Sequence, residues 1–150
     1  MSAIFSNLNY HLIFSTHERK PLLDDDLQRE LFKAMKEIVK TFGGHLIVAG
    51  GGPEHVHLLM HYPPEVSPAE IQLAIKQASA DWLAGHSQEL DSFQWQPGYL
   101  CFTVSQSRLE HVETYIANQP THHTKWDYER EVVMLLDANH CPYDEKGLWK

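Results

Sequence analysis

Cysteine is scarce in this chain, and so is positive charge. The two cysteines, Cys101 and Cys141, stand far apart and fit no paired spacing, which excludes a disulfide framework and a cysteine-based zinc site. No apolar run approaches the roughly 18 residues that a transmembrane helix needs, so no membrane partner is expected. The stretch Met1-Ser2-Ala3-Ile4-Phe5-Ser6-Asn7 lacks the basic and apolar regions of a signal peptide, and a cytoplasmic location is the expectation. No Ser/Gly- or Pro-rich linker divides the 150 residues, a length that fits one domain able to bury a core without staples. Lys and Arg number 12 against 20 Asp and Glu, for a formal charge of −8. That balance runs against a generally basic nucleic-acid-binding surface, although a local basic patch is compatible with it.

What is present is a regular alternation of elements. Tyr10 to Ser15 reads as a strand that ends in the basic turn His17-Glu18-Arg19-Lys20-Pro21. Asp24-Asp25-Asp26 supplies a cap and favourable negative charge for a helix, better explained that way than as a metal site. Leu27, Leu31, Ala34, Met35, Ile38 and Phe42 follow at helical spacing, and Gly43-Gly44 closes the run. His45 to Ala49 reads as a second strand. Gly50-Gly51-Gly52-Pro53 is a turn into a third strand, His55 to His61, and no helix follows it as a phosphate loop would require. Ser67-Pro68-Ala69-Glu70 opens a second helix reaching about Leu83. A polar loop leads to Gln96-Pro97-Gly98, Tyr99 to Ser105 reads as a fourth strand, and Ser107 to Gln119 as a third helix halted by Pro120. One more apolar-periodic segment, Tyr128 to Leu136, lies in the tail. The expected class is α+β, a ferredoxin-like (RRM-like) antiparallel sheet in β-α-β-β-α-β order with helices on one face and a C-terminal extension. One domain is expected, its core at about 8–120 and its extension at 121–150.

The densest chemistry sits in the third strand. Successive side chains of a strand alternate between faces, so His55 and His57 project to one side while Val56, Leu58 and Met60 project to the other. Two imidazoles about 7 Å apart on one strand face can share a metal ion, given a third ligand from elsewhere. The third helix offers one. Leu109, Val112 and Ile116 form an apolar stripe, and His111, Tyr115 and Gln119 lie in a row along its flank. Gln119 can supply an amide oxygen, and Tyr115 can place a phenol beside the metal.

Four blocks carry a family likeness: Tyr10-His11-Leu12-Ile13-Phe14-Ser15-Thr16, Pro53-Glu54-His55-Val56-His57-Leu58-Leu59, Trp95-Gln96-Pro97-Gly98-Tyr99 and Tyr115-Ile116-Ala117-Asn118-Gln119. They resemble the single-tyrosine HUH transposases of small bacterial insertion sequences. The Trp95 block and the end, Tyr143-Asp144-Glu145 through Leu148-Trp149, look closest to the branch associated with repetitive extragenic palindromes (REP). The resemblance spans nearly the whole chain in the right order. It implies that His55, His57 and Gln119 bind a divalent metal, Mg²⁺ or Mn²⁺, which binds a DNA phosphate. It implies that Tyr115 is the nucleophile, leaving a 5′-phosphotyrosine link and a free 3′-OH. It also implies single-stranded DNA hairpins as substrates and a homodimer in which the Tyr115 helix can serve the partner's site. Arg19 and Lys20, and after them Lys76, Arg108 and Lys125, are the expected DNA contacts.

Other histidines have plainer readings. His61 shares the face of the pair and is expected to be solvated, His111 to be a surface residue, and His122-His123 to make loop contacts. The chain departs from the resemblance in two respects. It is acidic where the family is basic, and its second helix reads Lys76-Gln77-Ala78-Ser79-Ala80-Asp81 where relatives tend toward a Lys-Gly-Ser-type stretch. The alternative to a strand-cutting transposase is therefore a domesticated descendant that binds structured DNA or RNA without cutting it. A metal-dependent phosphodiesterase on small substrates is a third reading, for which no separate pocket is legible.

Overall fold

A computed structural model describes residues 3–149; Met1, Ser2 and Lys150, the ends of the stretch read for a leader and of the C-terminal extension, lie outside the described residues. The backbone divides into two units, one running to Gln119 and one beginning at Pro120. In the first, β1 (Leu8–Ser15), α1 (Asp25–Thr41), β2 (His45–Gly51), β3 (His55–Tyr62), α2 (Pro68–His86), β4 (Leu100–Thr103) and α3 (Leu109–Ala117) follow in order. The strands make one antiparallel sheet in the order β2-β3-β1-β4. The expected ferredoxin-like α+β arrangement is the one observed.

Alternation sorts the sheet into two faces with different work to do. Tyr10, Leu12 and Phe14 of β1, Leu46 of β2 and Val56, Leu58, Met60 and Tyr62 of β3 turn toward α1 and α2. There they meet Leu27, Leu31, Met35 and Val39 of α1 and Ile71, Ile75 and Leu83 of α2, forming the main core. The opposite face carries a smaller cluster of Leu59, Val104 and Ile116, with Ile47, Val48, Leu109, Val112 and Tyr115 packed against it. The two crossover helices thus share one face, and the expected apolar stripe of α3 lies on the other. That second face is the one to which His55 and His57 belong.

Caps and breaks fall where side chains can make them. Asp24 accepts a hydrogen bond from the Leu27 amide at 2.8 Å and starts α1. Ser67 accepts from the Glu70 amide at 3.2 Å and donates back to the Glu70 carboxylate at 3.0 Å. The α1 stripe differs from the expected one at its end: Val39 is buried, whereas Phe42 is 43% exposed because it occupies the cap position beyond the last turn. The third helix is also shorter than its spacing predicts. A 3-10 turn at Gln106–Arg108 precedes it, it stops at Ala117, and α4 (Gln119–His122) begins anew. Pro120 has no N–H to donate to the Ile116 carbonyl, so the ladder breaks, and proline then sits in the first turn of the next helix, where it is tolerated.

The loop after α2, read from sequence as polar, carries buried anchors. Leu90, Phe93 and Trp95 join the helix-side core, with the Trp95 ring between Phe14 and Phe93 at centroid distances of 4.7 and 4.8 Å. Its indole N–H donates to Ser79 Oγ at 2.9 Å. In the second unit, α5 (Tyr128–Ala138) covers the apolar-periodic tail segment, started by Asp127, which accepts from the Arg130 amide at 2.9 Å. Among the described residues no helix is long and apolar enough to cross a membrane.

Candidate active site

Strand β3 delivers His55 and His57 to the α3 face, and both are buried. Each engages a neighbour through Nδ1. His55 Nδ1 lies 2.5 Å from Glu54 Oε1, and His57 Nδ1 lies 2.8 Å from Nε2 of His11. His11 reaches this position because β1 pairs with β3 in a register that sets it opposite Leu59, one alternation along from His57. The two ligand candidates pack edge to face, their ring centroids 5.1 Å apart.

Helix α3 brings the remaining parts. The Tyr115 ring stands 6.0 Å from that of His57 and 6.4 Å from that of His11. Gln119, just beyond the break at Asn118, is buried with its Oε1 3.1 Å from His55 Nε2. The sequence-expected quartet of His55, His57, Tyr115 and Gln119 is therefore brought together within the first unit.

The approach of α3 depends on a glycine. Gly50 of β2 pairs with His57, and a Cβ built on it would lie 2.3 Å from the Ile116 carbonyl oxygen and 2.9 Å from Ile116 Cγ2. Any side chain here would hold the helix off the sheet. Gly50 and Gly51, read from sequence as part of a turn, form the end of β2 by pairing with His57 and Val56.

The donor set suits a divalent cation. Glu54, an acceptor when ionised, calls for a proton on His55 Nδ1, so a neutral His55 turns the Nε2 lone pair toward the oxygen of Gln119. Two acceptor atoms facing each other at 3.1 Å are stabilised by positive charge shared between them. Neighbouring donors around one small octahedral cation stand about 3 Å apart. Two imidazole nitrogens and one amide oxygen fit Mg²⁺ or, with its greater tolerance of nitrogen, Mn²⁺.

The basic residues expected to touch DNA fall in several places. Arg19 and Lys20 follow β1 in a turn where Glu18 and Arg19 both have φ of 56°, a left-handed conformation unusual for non-glycine residues. This turn is laced to the Trp95 loop, with the His17 amide donating to Gln94 O at 3.0 Å and the Glu18 amide to Gln96 Oε1 at 3.0 Å. Lys76 meets the same loop from α2, donating to Gln96 O at 2.9 Å and Gly98 O at 2.7 Å. Burial lowers its pKa to about 8. Arg108 is exposed at the start of α3, and Lys125 belongs to the second unit. His61 is half-buried, with Nδ1 3.3 Å from Asn9 Oδ1, and His111 is exposed. In the second unit His122 stacks on Trp126 and His123 bonds Glu131 at 3.2 Å.

His11 and Glu54 were not singled out from the sequence as site residues. The signal for His11 was its parity: it alternates with the core residues Tyr10 and Leu12 and so had to emerge on the histidine face. Glu54 carried no signal beyond adjacency to His55.

Residues 4–119 match the model of the family described as IS200-like transposases. The transposase TnpA of ISDra2 from Deinococcus radiodurans is 28% identical over 117 residues, covering 75% of this chain and 84% of that protein. A crystal structure of a candidate transposase from Deinococcus radiodurans R1 superposes with a TM-score of 0.62 at 27% identity, over 79% of this chain and 95% of that one. A REP-associated tyrosine transposase bound to a REP hairpin shares the fold, with a TM-score of 0.59 at 18% identity, over 89% of this chain and 86% of that one.

Proposed function

Because the chain belongs to the IS200-like transposase family, we propose that it is a cytoplasmic, metal-dependent tyrosine transposase that cleaves and rejoins hairpin-bearing single-stranded DNA. The observation that carries this reading is the meeting of His55, His57, Gln119 and Tyr115 on one sheet face. His55, His57 and Gln119 would hold the divalent cation, Mg²⁺ or Mn²⁺. When bound, that ion polarises the scissile phosphate and stabilises charge on the leaving oxygen. Tyr115 supplies the nucleophile. A phenol, whose ordinary pKa is about 10, is mostly protonated at neutral pH and so needs electrostatic help to act. As the phenol oxygen bonds to phosphorus, the bond to the 3′ oxygen breaks, giving a 5′-phosphotyrosine and a free 3′-OH. Attack by a 3′-OH reverses the step, so rejoining needs no external energy source.

The same reading assigns DNA contacts to Arg19, Lys20, Lys76, Arg108 and Lys125, with a homodimer as the working unit. It takes residues 8–120 as the core of one domain and 121–150 as its extension. The hairpin-bound REP-associated relative supports a structured single strand as the partner. The test is covalent capture. Purified protein, Mn²⁺ and a hairpin from the gene's own flanking DNA should give a protein–DNA adduct that resists denaturation and is lost in Tyr115→Phe. An undiminished adduct in that variant removes Tyr115 from the mechanism. The competing reading is a non-cutting binder of structured DNA or RNA. It is distinguished by hairpin binding with no adduct under any metal.

A further inference from the structure

In neutral histidine one ring nitrogen bears a proton and the other a lone pair, and only the lone pair can bind a cation. A ligand histidine therefore needs a partner at its second nitrogen to fix which is which. His55 and His57 each meet such a partner at Nδ1, and the two partners differ chemically. For His55 it is a carboxylate, which accepts only, so the proton is fixed on Nδ1. For His57 it is another imidazole, His11, which can donate or accept. Only if His11 accepts at Nε2 is His57 left with its proton on Nδ1 and its lone pair on Nε2.

We propose that His11 and Glu54 are positioning residues of the metal centre, His11 accepting from Nδ1–H of His57 and Glu54 from Nδ1–H of His55, so that both ligands present Nε2 to the cation. This inference rests on the metal-site reading above and adds the residues that orient its ligands. His11 is suited to the task because it is buried in the middle of β1, an inner strand paired on both sides, and contacts His57 at 2.8 Å and the Tyr115 ring at a centroid distance of 6.4 Å. Glu54 is suited because it adjoins its ligand in sequence and is only partly exposed.

Two readouts test this in the full chain. Long-range ¹H–¹⁵N spectra of the metal-free protein should show His55 and His57 as Nδ1–H tautomers, the form less favoured in free histidine. His11→Leu should return His57 toward the Nε2–H form and weaken Mn²⁺ binding, followed by electron paramagnetic resonance, by about 10- to 100-fold. His11→Gln, whose amide oxygen can accept the same hydrogen bond, should bind Mn²⁺ far more tightly than His11→Leu does. Glu54→Leu, whose side chain cannot accept from His55 Nδ1–H, should weaken binding over the same range. The inference is overturned if His57 of the wild type is the Nε2–H tautomer, if His11→Leu binds Mn²⁺ as the wild type does, or if His11→Gln is as weak as His11→Leu. Should the wild type bind no more Mn²⁺ than a His55→Ala/His57→Ala variant, the metal reading falls and takes this inference with it.

Discussion

Gly50→Ala is a one-methyl test of how the site is assembled. The added Cβ would lie 2.3 Å from the Ile116 carbonyl oxygen, and Cβ atoms essentially never come within 3.0 Å of a neighbour. Either α3 or the end of β2 must retreat by roughly 0.7 Å, and the atom met is backbone, so no rotamer change relieves the clash. Ile116 is flanked by Tyr115 and followed three residues on by Gln119, so a shift of the helix moves both away from the β3 histidines. Overpacking of this kind typically costs ~1–3 kcal/mol of stability. That outweighs the ~0.5–1 kcal/mol gained by replacing a strand glycine. A misplacement approaching 1 Å in a reacting group costs about 100-fold in rate. Single-turnover adduct formation with Mn²⁺ should therefore slow by one to two orders of magnitude, with a lowered thermal midpoint. If Gly50→Ala forms adduct at the wild-type rate with an unchanged midpoint, the close approach of α3 is not what places Tyr115 and Gln119.

Gly85→Ala is the matched control, because its Cβ would meet nothing within 4 Å on α2; it should stabilise the protein by about 0.5 kcal/mol in thermal unfolding and leave adduct formation unchanged. Lys76 gives a pH prediction. The unfolded chain keeps this proton up to about 10.5, whereas burial makes the folded chain give it up near 8. Between those values the unfolded state binds more protons, so raising the pH stabilises the fold. Wild-type stability measured against Lys76→Met should rise from pH 8 to pH 10, by less than ~1 kcal/mol because solvent screens a half-buried group; a flat difference refutes the assignment. For DNA contacts, Lys125→Ala should weaken hairpin binding and flatten the slope of log K against log salt by about 0.7–1. An unchanged slope takes Lys125 off the phosphate path.

Period-2 alternation in β3 was enough to set His55 and His57 on one face, and the 3.6-residue stripe of α3 was enough to turn Leu109, Val112 and Ile116 onto the sheet. Both are local signals, repeated within one element. What could not be read locally depended on chain segments far apart in sequence. The loop before β4 looked polar, yet Leu90, Phe93 and Trp95 are buried, because three isolated apolar residues in an irregular segment have no period to betray them. The Trp95 indole partner, Ser79, lies one long loop away on α2. Lys76 could be seen as a charge but not as a clamp on the Gln96 and Gly98 carbonyls, for the same reason.

The division of the sheet into two faces explains why the histidine site lies where it does. On the α1 and α2 side, two long helices fill the space with aliphatic and aromatic side chains, leaving room for few polar pairs such as Trp95 with Ser79. On the other side α3 is short and its apolar cluster small. Beside that cluster polar groups can meet one another instead: His11 with His57 and Glu54 with His55. Such a cluster is stable only when every member is satisfied, which makes its geometry strict and its members interdependent. Gly50 then matters for chemistry rather than for turning the chain, since it sets the clearance at which α3 closes over the polar cluster. The same logic makes the acidic charge of the chain less decisive than it looks from composition. In the proposed reaction, cleavage depends on the local field of a few buried groups, whereas net charge governs how fast and how salt-sensitively a strand arrives.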